Sequence, residues 1–263
     1  MTVNKHIERR GQEATKIFDD RSLKNDYRHL SQLLKPGMTI LDVGCGTGSI
    51  SKDIAAIVGE NGKVIGIDNT EHFITSGRTA YNSVQNLELI WVDLFDFQTD
   101  IQFDLIVSAR TLQWLSNPKE AIIKMKSLLK PNGQISILDY NHTDINWNPM
   151  PPESMQEFYK TFLKWRKEAG MDNEIAENLV DLLKETGFHS IEKINADERY
   201  DKETLDFKSK VAIWSKVAGS KQMVEEGYLD EKLRLQAIEE YNNWVKNSAV
   251  SMTMKLNEVR GKL

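Results

Sequence analysis

The chain of 263 residues has a single cysteine, Cys45, so no disulfide can form within it. None of its apolar runs approaches the ~18 residues that a membrane-spanning helix needs. The opening stretch, MTVNKHIERRGQEATKIF, lacks the apolar core of a signal peptide. Together these absences predict a cytoplasmic protein without membrane contact, because a reducing compartment keeps thiols free.

Positive charge is also scarce, since 34 lysines and arginines stand against 39 acidic residues and give a formal net charge of −5. The basic residues are scattered among the acids, which is more typical of a solvated surface than of a binding patch. We therefore expect no nucleic-acid partner, and we predict no bound metal. The length suits one large α/β domain, or a core domain with an added cap.

Strand and helix patterns alternate from Met38 to Tyr140. Buried apolar runs predict five strands, at residues 38–43, 64–67, 87–92, 103–108 and 134–140. Helical spacing fills the gaps between them, a further helix is predicted over residues 13–34, and a turn over 130–133. This alternation predicts parallel β-α-β units with right-handed crossovers, and hence a doubly wound α/β sheet.

The pattern changes after Tyr140. We predict a polar, proline-rich loop over 141–152, helices over 153–167 and 174–186, a strand over 191–196, helices over 202–247 and a last strand over 249–259. The expected organisation is a single domain. Residues 1–140 form its cofactor-binding core with the N-terminal helix, residues 141–186 and 200–247 form helical cap insertions, and residues 187–199 and 248–263 form closing strands. The caps would cover the carboxyl ends of the strands, where open α/β sheets bind ligands.

Four features fall at successive strand ends. The sequence LDVGCGTG at 41–48 is a glycine-rich turn that lets a ligand approach the backbone, and the helix after it favours an anionic group. Asp68 ends the second strand and can accept hydrogen bonds from both hydroxyls of a ribose. Asp93 follows the third strand and can accept from an exocyclic amine, with Leu94 lining an apolar slot. The fourth feature is the segment 109–114 after the fourth strand.

Each feature alone has an ordinary structural explanation, namely tight packing for the glycines, a helix cap for Asp68 and a surface turn for Asp93. Their joint occurrence in this order favours a nucleotide-type cofactor. The dinucleotide fingerprint is G-x-G-x-x-G, whereas here the third glycine comes one place early, as Gly48, and Ser49 occupies the expected position. A nicotinamide-dependent oxidoreductase, NAD(P)-linked, therefore remains as an alternative rather than the first choice.

The whole pattern resembles the class I S-adenosylmethionine-dependent methyltransferases. LDVGCGTG is similar to their first motif, VIGID to the second-strand motif, VDLFDF to the adenine motif, and FDLIVSARTLQWL and LLKPNGQISILDY to the fourth- and fifth-strand motifs. The resemblance covers residues from about 38 to 140, and ARTLQWL is similar to small-molecule members, including trans-aconitate and quinone-biosynthesis enzymes. It implies a Rossmann-like seven-stranded doubly wound sheet with an antiparallel last strand.

The resemblance also implies roles for individual residues. The three glycines would line the methionine part of S-adenosyl-L-methionine, Asp68 would hold the ribose, Asp93 with Leu94 the adenine, and Ala109 would lie near the sulfonium. Arg28 could pair with the cofactor carboxylate, although a solvated helix arginine is the alternative. The predicted cofactor-binding residues are Arg28, Asp42, Gly44, Cys45, Gly46, Gly48, Asp68, Asn69, Asp93, Leu94, Ala109, Arg110 and Trp114.

The acceptor side is predicted to involve Trp114, Tyr140 and His142 as catalytic residues. His142 is a candidate general base because its ordinary pKa is near neutral, with a surface-loop histidine as the alternative. The expected function is transfer of a methyl group to an oxygen, nitrogen or carbon atom of a small-molecule acceptor, by a monomer or homodimer. A non-catalytic protein that binds S-adenosylmethionine is a further alternative.

Overall fold

The computed structural model describes Lys5, Ile7 and residues 21–263. Its first half alternates strands with helices, which confirms the predicted α/β pattern. In chain order the elements are α1 (Leu23–Asp26), β1 (Thr39–Val43), α2 (Ser49–Val58), β2 (Lys63–Asp68), α3 (Glu71–Ala80), β3 (Leu87–Trp91), β4 (Phe103–Ala109), α4 (Pro118–Ser127) and β5 (Leu129–Asn148), with 3₁₀ turns at Leu30–Gln32 and Leu112–Trp114.

The second half carries most of the helices. Its elements are α5 (Glu153–Glu168), α6 (Ile175–Glu185), β6 (His189–Asn195), β7 (Glu198–Asp201), α7 (Phe207–Val211), α8 (Ile213–Ala218), α9 (Gln222–Glu225), α10 (Glu231–Asn247) and β8 (Ser251–Lys262). Helices α5 and α10 pack against each other, and α8 packs on α10. None of the helices in the described part of the chain is long and apolar enough to cross a membrane.

All eight described strands belong to one sheet. Its order is β3-β2-β1-β4-β5-β8-β6, and β7 pairs with the beginning of β8. Strands β1 to β5 are parallel, whereas β8 runs antiparallel to β5 and β6. The Rossmann-like sheet with an antiparallel last strand is confirmed, with one correction, because the structure has eight strands rather than seven. The added strand, β7, has the sequence ERYD and is too short and polar for a pattern to indicate it.

Strand β5 corrects two further expectations. Residues 141–148, predicted as a loop, continue the strand and pair with β8 after a register shift between Asn141 and Asn146. The predicted turn at 130–133 is also assigned to the strand, as an irregular stretch in which Asn132 has φ of +64°. The physical reason is that β8, which is 12 residues long, offers backbone partners to β5 as far as Asn148, while Leu129 at the start of β5 pairs with Phe103 of β4.

The predicted helix over residues 13–34 is only partly testable, because residues 13–20 lie outside the described residues. From residue 21 onward the prediction of a continuous helix is wrong. The four-residue helix α1 ends at Tyr27, which has φ of −147°, and the 3₁₀ turn follows. Ser22 caps α1 by accepting a hydrogen bond from the Asn25 amide.

Both faces of the sheet are covered by apolar side chains, which explains why β1, β2 and β4 are continuous apolar runs. Helix α2 buries Ile50, Ile54 and Val58 at helical spacing. The cap has an aromatic core in which Tyr159, Phe162 and Trp214 are buried. The Tyr159 and Trp214 rings meet edge to face with centroids 4.7 Å apart, a favoured geometry for aromatic pairs.

Candidate active site

The glycine-rich turn joins β1 to α2 in a conformation that only glycine adopts freely. Gly44, Gly46 and Gly48 have φ of +74°, +58° and +80°. Space is limiting at Gly44, because a Cβ there would lie 2.1 Å from the Thr111 Oγ1 atom. The turn is anchored on β2, since the amides of Gly44 and Cys45 donate to the Ile67 carbonyl at 2.8 and 3.0 Å. The close approach of Gly44 to Thr111 brings the glycine-rich turn into direct contact with the segment 109–114 after β4.

Asp68 connects the glycine turn to the start of α3. Its Oδ2 accepts a hydrogen bond from the Gly46 amide at 3.0 Å, and its Oδ1 accepts from the Thr70 amide at 2.9 Å. The side chain is only 6% exposed. Because each carboxylate oxygen has two lone pairs, both oxygens keep the capacity to accept a hydrogen bond from a hydroxyl.

Asp42 and Cys45 both have raised pKa values, but only Cys45 is neutral near physiological pH, where Asp42 is still mostly ionised. Burial raises the pKa of Asp42 to about 6, Asp68 adds to the effect, and the Ser51 hydroxyl opposes it by donating at 2.6 Å. Burial also raises the pKa of the Cys45 thiol well above its ordinary value, with further contributions from Asp42 and Asp68. Cys45 is therefore a thiol rather than a reactive thiolate.

The predicted adenine end is assembled from the ends of β2 and β3. The Asn69 Nδ2 atom donates to Asp93 Oδ2 at 3.3 Å, and the Phe95 amide donates to Asp93 Oδ1 at 2.9 Å. Leu94 is buried in the core beneath them. The Trp91 indole donates to the Asn69 carbonyl at 3.2 Å. A carboxylate acceptor, an amide and an apolar side chain thus lie together, as a purine base requires.

Arg110 follows β4, and its side chain extends away from the glycine turn, toward β5 and β7. Its Nε donates to the Tyr140 hydroxyl at 2.9 Å, and its Nη2 forms an ion pair with Glu198 on β7. The Tyr200 hydroxyl also donates to Glu198, at 2.8 Å. Burial opposes ionisation of Glu198, but the charge of Arg110 and these hydrogen bonds outweigh it and lower the pKa of that carboxyl. Burial raises the pKa of Tyr140 to about 12.

His142 is neither in a loop nor at the surface. It lies on the extension of β5, is 5% exposed, and its Nε2 is 2.6 Å from the Gln113 Oε1. Since the Gln113 Nε2 donates to the Arg110 carbonyl at 3.0 Å, its oxygen must face the imidazole, which makes Nε2 the protonated nitrogen. Burial, with help from Arg166, lowers the pKa of His142 well below 6.5. The ring is neutral at physiological pH and is a weak base.

Two buried charged residues that the sequence did not single out, Arg166 and Asp139, hold the 3₁₀ turn after β4. Arg166 Nη2 donates to the Gln113 carbonyl at 2.8 Å, and its guanidinium lies 4.8 Å from the centre of the Trp114 ring. Asp139 accepts from the Gln113 amide at 3.1 Å. Burial lowers the pKa of Arg166 to about 10 and raises that of Asp139 to about 6.

Arg28 lines a small cavity together with Arg110 and Glu198, and none of the glycine-turn residues lines that cavity. Arg28 follows α1, is exposed, and donates from Nη2 to the Asp197 carbonyl at 3.2 Å. Asp197 lies between β6 and β7, on the opposite side of β8 from the glycine turn. No group of three or more histidine, cysteine, aspartate or glutamate side chains suited to a metal occurs among residues 21–263, Lys5 and Ile7.

The glycine turn, Asp68, Asp93 and Leu94 therefore lie at or just after the carboxyl ends of three neighbouring strands, an arrangement suited to a nucleoside with an attached charged chain. A methyltransferase domain model matches residues 34–242 of this sequence. The chain belongs to the methyltransferase domain family. The match includes β1 to β5, all the residues of the glycine turn and the cap helices through most of α10.

Relatives of this methyltransferase domain include named enzymes. Malonyl-[acyl-carrier protein] O-methyltransferase 2 of Ilyobacter polytropus is 30% identical over 142 residues, which cover 51% of this chain and 54% of that protein. Demethylmenaquinone methyltransferase of Staphylococcus carnosus is 28% identical over 149 residues, covering 56% and 58%. The chain thus spans little more than half the length of these relatives.

A solved structure has the same fold. Phosphoethanolamine N-methyltransferase 2 of Haemonchus contortus, in complex with S-adenosyl-L-methionine, aligns with a TM-score of 0.54 at 15% identity. The alignment covers 94% of this methyltransferase-family chain and 59% of that protein. At this identity the likeness concerns the fold alone.

Proposed function

We propose that the protein is an S-adenosylmethionine-dependent methyltransferase that acts on a small-molecule acceptor. The observation that carries the proposal is the pair of contacts from Asp68 to Gly46 and from Asn69 to Asp93. These contacts join the glycine turn, the ribose candidate and the adenine candidate into one site, in a chain of the methyltransferase domain family. The same family membership disfavours the NAD(P)-linked oxidoreductase.

In this proposal the residues present fit the cofactor. The open backbone at Gly44, Gly46 and Gly48 would hold its methionine part, Asp68 the ribose, and Asp93 with Leu94 the adenine. Bound S-adenosylmethionine supplies a methyl group on a sulfonium, which is already activated. The protein therefore has mainly to align the acceptor and exclude water, and alignment contributes ~7–11 kcal/mol in well-oriented reactions.

The acceptor side is proposed at the carboxyl end of β4, between Ala109, Trp114 and His142, which lies within β5. Helices α5 and α7 to α10 serve as the cap of a single domain and keep water out, whereas α6 packs on β5, β6 and β8. His142 can take a proton only at Nδ1 and is a weak base there, so we assign it a supporting role unless the acceptor itself is acidic. Because the Arg166 guanidinium lies over the Trp114 ring, 4.8 Å from its centre, a methyl-bearing cation would stack on the opposite face of the indole.

The remaining expectations belong to the same proposal. We propose a cytoplasmic enzyme, monomeric or homodimeric, that uses no nucleic acid or membrane as a substrate. The closed aromatic core around Tyr159, Phe162 and Trp214 favours a small acceptor, because a large one would have to displace buried rings. The net charge of −5 supports the exclusion of nucleic acid.

Calorimetric titration tests the cofactor directly. S-adenosylhomocysteine should bind the purified protein in a one-to-one ratio, and NAD(P) should not. Binding of the nicotinamide cofactor without S-adenosylhomocysteine would reverse the assignment. The second step is transfer of a labelled methyl group from S-adenosylmethionine to a metabolite extract. Cofactor binding with no labelled product across such extracts would instead favour the non-catalytic binding protein.

A further inference from the structure

The chain direction at the exit of β4 depends on a strained residue. Arg110 has φ of +59°, in the left-handed region that side chains other than glycine rarely adopt. Asn132 and Ser190, the other described non-glycine residues with positive φ, are exposed, whereas Arg110 is 5% exposed. Strained conformations persist where the surrounding contacts over-determine them, so the contacts of Arg110 need to be identified.

Backbone contacts fix both sides of Arg110. Its amide donates to the Leu138 carbonyl at 2.7 Å, and its carbonyl accepts from the Gln113 side chain at 3.0 Å. They tie Arg110 to β5 on one side and to the 3₁₀ turn with Trp114 on the other. Neither contact fixes the direction of the buried guanidinium, which would be costly without a compensating charge.

Glu198 supplies that charge. Among the described residues it is the carboxylate within 4.0 Å of the Arg110 guanidinium. Glu198 is itself fixed, because the Tyr140 and Tyr200 hydroxyls donate to its Oε2 at 3.3 and 2.8 Å. Its strand is paired with β8, with Glu198 opposite Met254. The ion pair therefore connects the residue after β4 to the far side of the sheet.

We propose that Glu198 is a positioning residue, which holds Arg110 in the left-handed conformation and thereby orients the segment from Ala109 to Trp114. The role rests on the proposed function, because that segment is the part of the site placed near the reacting methyl group. Without the ion pair, Arg110 would relax to a negative φ and the turn after β4 would change direction.

A merely structural ion pair would leave the affinity for S-adenosylhomocysteine and the φ of residue 110 unchanged when Glu198 is replaced, and a glycine variant tests whether any loss of affinity acts through residue 110. Glycine adopts positive φ without strain, so Arg110→Gly removes the need for Glu198 while leaving the turn its conformation. If Glu198 acts through Arg110, Glu198→Gln should weaken S-adenosylhomocysteine binding about tenfold when Arg110 is present. A loss of this size corresponds to the cost of holding one residue in a strained backbone conformation. In the Arg110→Gly background the same substitution should change the affinity less than about twofold.

The four proteins of this cycle are compared by calorimetric titration with S-adenosylhomocysteine and by thermal unfolding. Arg199→Ala serves as the control, because Arg199 is the exposed neighbour of Glu198 on the same strand. Equal losses of affinity from Glu198→Gln in both backgrounds, or no loss in either, would overturn the positioning role and leave the proposed function intact. If the unmodified protein fails to bind S-adenosylhomocysteine, the proposed function and this role fail together.

Tyr200→Phe provides a milder second variant if Glu198→Gln does not fold. It removes one hydrogen bond to Glu198 without touching the charge pair, and should weaken S-adenosylhomocysteine binding in the same direction by about two- to threefold. A crystal structure of either variant reports the φ of residue 110 directly. A φ that stays near +59° in Glu198→Gln would also overturn the proposal.

Discussion

The imidazole Nε2 of His142 and the side-chain oxygen of Gln113 lie 2.6 Å apart in a site where His142 is almost completely buried. This contact makes His142 a hydrogen-bond donor to the turn after β4. It connects the extension of β5 to the turn that carries Trp114. The Tyr159 hydroxyl donates to the His142 carbonyl at 2.6 Å and ties the cap to the same point. His142 thus links the core of the domain to its cap.

Burial of His142 predicts a pH dependence of stability. In the folded protein its pKa lies well below 6.5, whereas in the unfolded chain it has its ordinary value near 6.5. Below pH 6.5 the unfolded state takes up a proton that the folded state does not, so the free energy of unfolding falls as the pH falls through this window. The contribution that the neutral, buried His142 makes to the free energy of unfolding is therefore fully present above pH 6.5.

His142→Phe keeps a ring but removes this titration. Urea denaturation from pH 8 to pH 5 should show that the unmodified protein loses stability relative to the variant as the pH falls. Taking the difference between the two proteins cancels groups that titrate in both. A difference that is constant across this range would contradict the buried, neutral state of His142.

The raised pKa of Asp42 predicts that the free energy of unfolding depends on pH with the opposite sign. The folded pKa of Asp42 is about 6 against an ordinary value of 3.8, so the folded state binds the extra proton between these values. The free energy of unfolding contributed by Asp42 therefore rises as the pH falls from about 6 toward 4. At pH 8 Asp42→Asn should be more stable than the unmodified protein by up to about 3 kcal/mol, since it lacks the buried charge.

The measurement for Asp42 is urea denaturation of the variant and the unmodified protein at pH 8 and at pH 5. The advantage of Asp42→Asn should shrink at the lower pH. Asp96→Asn, at an exposed position in the same half of the chain, is the control and should differ by less than about 0.5 kcal/mol. An advantage that grows at low pH would show that the charge of Asp42 is not the cause.

The strand-end placement of the candidate cofactor residues could be predicted from sequence because its signals are local. The glycine turn, Asp68 and Asp93 each follow a buried apolar run within a few residues, so the strand ends could be located without knowing the sheet. The burial of Arg166 could also have been predicted from the sequence. Arg166 is a charged residue at helical spacing from Phe162, on the apolar face of α5, and a charge on such a face indicates a buried partner.

The rest of the site depends on distant pairing. Glu198 meets Arg110 across 88 positions of sequence, and β7 exists because β8, some 50 residues later, provides its hydrogen-bond partners. Burial of His142 depends in the same way on the extension of β5 along β8. The hydrophobic pattern of a four- or eight-residue segment cannot predict such distant pairing, because a short polar strand and a polar loop have the same composition.

Gly44→Ala should abolish binding of S-adenosylhomocysteine. The added Cβ would lie 2.1 Å from Thr111 Oγ1, at a backbone φ of +74°, so the glycine turn and the turn after β4 must move apart. Gly37→Ala is a matched control, because Gly37 has φ of +82° but no atom within 4 Å of its Cβ position. The control should lose about 1–2 kcal/mol of stability from backbone strain alone and keep its affinity. Equal affinities of the two variants in calorimetric titration would contradict the close approach at Gly44.

Asp68→Ala should weaken S-adenosylhomocysteine binding by ~1–3 kcal/mol, because the ribose hydroxyls lose a charged acceptor and Gly46 loses its partner. Asp68→Asn separates these two effects. Its amide oxygen can still accept from the Gly46 amide, but the charge is lost, so the affinity should fall between those of the alanine variant and the unmodified protein. Calorimetric titration measures all three. An affinity of Asp68→Ala equal to that of the unmodified protein would remove Asp68 from the ribose site.

Arg166→Lys should cost roughly 2–4 kcal/mol of stability, although it keeps the charge. The guanidinium of Arg166 donates at once to the Gln113 carbonyl and to Asn173 Oδ1, each at 2.8 Å, and a lysine cannot reproduce this planar fork. Lys167→Met is the control, since Lys167 is the next residue of α5 and is exposed, and it should change stability by less than about 0.5 kcal/mol. Urea denaturation compares the two. If Arg166→Lys were as stable as Lys167→Met, the charge of Arg166 alone would hold the turn after β4, and its hydrogen-bond geometry would have no part in positioning Trp114.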